Sequence, residues 1–119
     1  MATRVDLPPS FTKDLKQLAR KYRAVIDEVD DLISELENDE RPGDKIPNVG
    51  HDVYKVRLAN PSAGRGNRGG FRVVYYVKLV DHVILLTIYS KTEQADIPMP
   101  ALQAVINDVL KAQDNDGDE

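Results

Sequence analysis

The segment from Phe71 to Lys91 constrains the fold most. Phe71–Leu79 alternates, with Phe71, Val73, Tyr75 and Val77 on one face and Arg72, Val74 and Tyr76 on the other. A tight turn is expected at Asp81-His82, leading into a third strand, Val83–Lys91. Its run Val83-Ile84-Leu85-Leu86-Thr87-Ile88-Tyr89 is apolar almost without a break. Alternation suits a strand with one wet face. An unbroken apolar run predicts a central strand covered on both faces.

The rest of the chain supplies the cover. Val53–Leu58 alternates too, placing Lys55 and Arg57 on one face and Tyr54, Val56 and Leu58 on the other. Pro61–Gly70 holds four glycines and a proline and reads as a loop. Before these strands, Phe11, Leu15, Leu18, Ala19 and Tyr22 share one helical face, with Ser10 or Thr12 as N-cap. A second stripe lies at Val25, Ile26, Val29, Leu32, Ile33 and Leu36. A break near Tyr22–Ala24 gives a helical hairpin; one long helix is the alternative. Thr3–Leu7 is a possible short strand, ended by Pro8 and Pro9, and residues 38–50 read as a loop. Ser90-Lys91-Thr92-Glu93 fits a capping box, but Pro98 and Pro100 interrupt any helix begun there. Leu102, Val105, Ile106, Val109 and Leu110 mark a last amphipathic helix, 101–113. The expected organisation is one α+β domain over residues 1–113 and an acidic disordered tail over 114–119. Its parts are a helical hairpin on a small antiparallel sheet and a C-terminal helix.

A chain of 119 residues has room for one domain. No apolar run approaches the ~20 residues of a membrane span, and Met1–Asp6 lacks the apolar stretch of a signal peptide. With no cysteine, thiol chemistry and zinc–thiolate sites are excluded, and a cytoplasmic setting is expected. The net charge of −4 conceals a strong segregation. Asp27 to Glu40 carries eight acidic residues and no basic one, while His51 to Lys78 carries six basic residues and one acidic residue. A polyanion responds to the local field and not to the sum.

If the three strands are neighbours, Lys55, Arg57 and Arg72 converge on one sheet face. Arg65 and Arg68 come from the glycine-rich loop and Lys91 from the end of the last strand. Such a cluster suits a phosphodiester, with arginine for bidentate contact and lysine as a point charge. Cations on the open face of a sheet are also often merely solvated. Arg72 is expected to point out of the sheet, so that Arg72→Ala leaves the fold intact. Tyr54, Tyr75, Tyr76 and Tyr89 read chiefly as core or edge aromatics; stacking of Tyr89, of the same parity as Lys91, on a base is the alternative. His51 and His82 lie at strand ends and read as turn residues. No metal-ligand spacing is present, no G-x-S-x-G elbow and no Walker pattern, so neither cofactor nor metal is expected.

Phe11-Thr12-Lys13-Asp14-Leu15-Lys16-Gln17-Leu18 resembles the first helix of the RelE/ParE toxin superfamily. Val53–Asn60 resembles its second strand. Gly69-Gly70-Phe71-Arg72-Val73-Val74-Tyr75-Tyr76 and Ile88-Tyr89-Ser90-Lys91-Thr92-Glu93 together resemble its RelE- or HigB-like branch. The resemblance covers about residues 11–97. It implies a RelE-like fold and a toxin of a type II toxin–antitoxin system. The implied activity is metal-independent endoribonuclease action: an mRNA interferase that cuts in the ribosomal A site, inhibits translation and is neutralised by a cognate antitoxin in a hetero-oligomer. By position it makes Lys55, Arg57, Arg72 and Lys91 catalytic; Arg65, Arg68 and Lys78, as further cations, are expected on the RNA. RelE-type toxins often carry an arginine after that lysine and a tyrosine several residues later; here Thr92 and, approximately, Pro98 stand there. Tyr89 or the loop arginines substitute, or Glu93 acts as base, or activity is weakened. Crowding by Arg57 and Arg72 would suit Lys55 to act as general base. A ParE-like gyrase inhibitor and an inactive antitoxin-binding module are the alternatives.

Overall fold

A computed structural model of the chain describes residues 3–59, 70–91 and 96–117, with side chains through Ala112. The elements are β1 (Arg4–Asp6), α1 (Pro9–Lys21), α2 (Val25–Glu37), β2 (Asp44–Lys45), β3 (Val53–Leu58), β4 (Phe71–Leu79), β5 (His82–Ser90) and α3 (Met99–Gly117). The fold is α+β, as expected.

Two helices stand where one long helix was the alternative. Pro8, extended at φ −60° and ψ 156°, caps α1, and not Ser10 or Thr12. Pro9 sits inside the first turn, where a missing N–H loses no helical bond. Arg20 and Lys21 lie in the last turn, where cations favour the helix dipole. The backbone of α3 extends through Gly117, into the segment expected as a disordered tail.

The sheet runs β1-β5-β4-β3-β2. The meander β3-β4-β5 is antiparallel, but β1 lies parallel to β5, so the sheet is mixed and not purely antiparallel. The helical hairpin and meander bring the chain back in the direction of β1. His82 opens β5 and is not a turn residue; its Nε2 lies 2.7 Å from the Asp6 carboxylate, joining the two parallel strands. β2, within the stretch read as loop, pairs with β3 through Asp44 opposite Lys55 and Lys45 opposite Tyr54. It depends on Gly43, whose φ of +91° suits glycine and whose Cβ would strike the Lys55 carbonyl. No hydrophobic period announces such a two-residue strand.

The central strand has the predicted cover on both faces. Phe11, Leu18, Val25, Val29, Leu32 and Leu36 of the hairpin bury Val56, Leu58, Phe71, Val73, Tyr75, Val83 and Leu85. Leu102, Ile106 and Val109 of α3 bury Val53, Val74, Tyr76, Ile84 and Leu86 on the other face. The pairing of β4 and β5 shifts between Val74 and Tyr75, leaving Leu86 as an extra residue. This shift decides the site. Without it, Ile88 would share the face of Ile84 and Leu86; with it, Ile88 faces the hairpin and Tyr89 faces the side of α3.

Candidate active site

The register draws a row across the α3 side of the sheet. Arg57 of β3 lies directly opposite Arg72 of β4, and Arg72 directly opposite Tyr89 of β5. Like charges placed opposite one another in a sheet are destabilising, so local packing does not account for this pair. Lys55 stands two residues from Arg57 on the same face. Lys91 lies just past the end of β5, and its backbone N–H donates to the Gly70 carbonyl at 2.9 Å. Gly70 permits that crossing because a Cβ there would strike the Leu58 carbonyl.

These side chains line one concavity of about 600 Å³: Lys55, Arg57, Arg72 and Lys91, joined from β2 by Asp44 and by Lys45, whose Nζ is paired with Asp52 at 2.8 Å. Four of the sequence-predicted residues thus come together. Lys45 escapes sequence reasoning because its strand carries no pattern.

Arg72 lies on the predicted face but is not openly solvated. Only 5% of its surface is exposed, and Tyr89 and Asp96 lie near enough to act on its charge. Burial, with Arg57 adding to it, lowers its pKa, against the opposing pull of Tyr89 and Asp96. Its Nη1 donates to the Phe71 carbonyl at 3.2 Å. Among the described residues neither Arg72 nor Arg57 forms a salt bridge. A buried guanidinium beside a second cation, with no salt bridge among those residues, is chemically suited to meet an incoming anion.

Tyr89 occupies its place in the row but is 7% exposed and belongs to the core. It is therefore not presented for base stacking. Its hydroxyl donates to Asp96 Oδ1 at 2.9 Å, and burial, then this bond, push its pKa up to about 12. Asp96 also receives Lys55 Nζ at 3.3 Å and the Ile97 N–H at 3.0 Å. Burial would raise the Asp96 pKa, but the bonds from Tyr89, Ile97 and Lys55 outweigh it and hold it below the ordinary carboxylate value. Sequence reasoning misses Asp96 because it lies between elements, in no motif.

Lys78 stands elsewhere, in a separate concavity with His51 and Tyr76, roughly 20 Å along β4 from Arg72 at strand rise. Arg65, Arg68, Thr92 and Glu93 lie outside the described residues. Among the described residues no three histidine, aspartate or glutamate side chains gather as a possible metal site. Nor is any helix long and apolar enough to cross a membrane.

The fold is similar to that of a free-state double arginine-to-alanine variant of the E. coli toxin RelE. The match has a TM-score of 0.55 and 18% identity, and covers 80% of this chain and 90% of that one. A family model described as the RelE toxin of the RelE/RelB toxin–antitoxin system matches residues 11–114. That match takes in the hairpin, the whole β3-β4-β5 meander and most of α3, and the chain belongs to the RelE family of toxin–antitoxin toxins.

Proposed function

We propose that this toxin is a metal-independent endoribonuclease that cuts messenger RNA on the ribosome and is silenced by a cognate antitoxin. One observation carries the reading: two opposed arginines, without carboxylate partners among the described residues, in a concavity that gathers three further lysines. A protein-binding poison of gyrase has no need of that arrangement.

In the proposed reaction the ribose 2′-oxygen attacks the adjacent phosphorus and the bond to the 5′-oxygen breaks. A 2′,3′-cyclic phosphate and a 5′-hydroxyl end result. The 2′-hydroxyl loses a proton and the leaving oxygen gains one. Arg72 and Arg57 hold the phosphate and stabilise the extra negative charge of the pentavalent transition state. Each such donor is typically worth ~2.7–4 kcal/mol. Lys55, held as an ammonium by Asp96, is assigned the proton given to the leaving 5′-oxygen and not the role of base expected from the sequence; Lys91 and Lys45 are assigned the flanking phosphates. Glu93 stands as the candidate base for the 2′-hydroxyl by its position in the sequence.

The antitoxin is expected to lay an amphipathic helix with acidic residues against this face, answering the cations with carboxylates. The test is induction of the toxin without its antitoxin, with ribosome profiling. Arrested translation with transcripts cut inside ribosome-covered regions supports the reading; normal growth and intact transcripts at confirmed expression refute it.

A further inference from the structure

We infer that Asp96 is a positioning residue that fixes the Lys55 ammonium over the arginine row; the inference rests on the nuclease reading above. Lysine has a long, flexible stem, and the freezing of such a side chain costs up to ~2 kcal/mol. A lysine that moves a proton at a defined oxygen must be held within hydrogen-bond reach of it. Here the holder is visible. Lys55 Nζ lies 3.3 and 3.4 Å from the two Asp96 carboxylate oxygens.

Asp96 is itself fixed from two directions. The Tyr89 hydroxyl donates to Oδ1 at 2.9 Å and the Ile97 N–H donates to the same oxygen at 3.0 Å. Tyr89 is locked in the core and sits directly opposite Arg72. The chain Arg72–Tyr89–Asp96–Lys55 therefore transfers the rigidity of the sheet to the tip of a mobile lysine. With the Asp96 pKa held low and the Tyr89 pKa pushed up to about 12, carboxylate and phenol keep their charge states through the neutral range.

Asp96 is also an anion at the rim of a site for anions. It repels the RNA phosphates, so its contribution does not lie in binding. It lies in the rate after binding, and the two are separable. The test is single-turnover cleavage of mRNA on programmed ribosomes by the full chain, with Asp96→Asn, Asp96→Glu and Tyr89→Phe. Asp96→Asn keeps an acceptor for Tyr89 and Ile97 but loses the charge that holds Lys55. The expected result is a tenfold to hundredfold fall in the saturating rate, the scale of a misplaced catalytic group, with half-saturation unchanged or lower. Asp96→Glu should restore part of the rate. Tyr89→Phe, which loosens the carboxylate without removing it, should show a smaller fall. It also keeps the test alive if Asp96→Asn fails to fold.

A second readout is the ¹⁵N–¹H signal of the Lys55 ammonium, slow to exchange in wild type and lost in Asp96→Asn. Wild-type cleavage with an equally fast Asp96→Asn overturns the positioning role and leaves the nuclease standing. A raised half-saturation at unchanged rate overturns it as well. A wild type that cuts nothing refutes the nuclease reading and, with it, any positioning for cleavage; a protected ammonium would then mark a purely structural pair.

Discussion

Replacement of Arg72 by methionine should make the protein more stable and less active. Methionine retains an unbranched apolar stem of similar length and removes the charge. In the native protein that charge is buried to 5% exposure, faces Arg57 directly across the strand pair and forms no salt bridge among the described residues. Opposed like charges in a sheet cost about 0.2–1 kcal/mol, and exchange of buried ionic groups for apolar ones is often stabilising by about 1–4 kcal/mol. Against this stands the bond from Nη1 to the Phe71 carbonyl, worth about 1 kcal/mol. The balance at the midpoints is a gain of about 2 kcal/mol, or roughly 6–10 °C in Tm for a chain of this size. Thermal melts of the antitoxin-free protein at low and high salt measure it, and the gain should shrink as salt screens Arg57. Cleavage should fall by about 10²–10³. A variant that melts several degrees below wild type would show that Arg72 is structural. One that cuts as fast would place the chemistry elsewhere.

Other consequences are open to simpler assays. Tyr75→Phe removes the hydroxyl that donates to the Pro42 carbonyl and should destabilise by about 1–3 kcal/mol without loss of cleavage, read by melting and turnover together. Asp6→Asn should lower stability at neutral pH by breaking the contact with His82. Burial would raise the Asp6 pKa, but bonds from His82 and the charge of Arg4 lower it overall. The contribution is therefore full above the ordinary carboxylate pKa and fades as pH falls through the depressed folded value, so wild-type and variant melting curves should converge in acid. Gly43→Ala should lose β2, since its Cβ would meet the Lys55 carbonyl at a φ of +91°; lower stability and fewer protected amides over 44–46 are expected in hydrogen exchange.

Much of the fold is legible because hydrophobic period survives in long elements. The hairpin, the meander, the doubly covered β5 and the last helix all derive from apolar spacing, and Lys55, Arg57 and Arg72 from strand parity. Each feature that escapes has a physical reason. Parallel pairing of β1 depends on the route of the chain and not on its three residues. β2 is too short to carry a period. The extra residue at Leu86 leaves no mark in an apolar run, yet it turns Tyr89 toward Arg72. The burial of Arg72 escapes because strand parity places it on the open face without showing how closely Tyr89 and Asp96 approach it. Asp96 sits between elements, and only three-dimensional contacts reveal it.

Cleavage of a defined mRNA by purified toxin, with and without ribosomes, decides whether the basic row is a ribosome-dependent nuclease site. Cuts are expected only in the ribosome-bound message, with a 2′,3′-cyclic phosphate on one product and a 5′-hydroxyl on the other, and about 10²–10³-fold slower with Arg72→Met. An intact message on programmed ribosomes at stoichiometric toxin, or equal cutting of naked RNA by wild type and Arg72→Met, would contradict it.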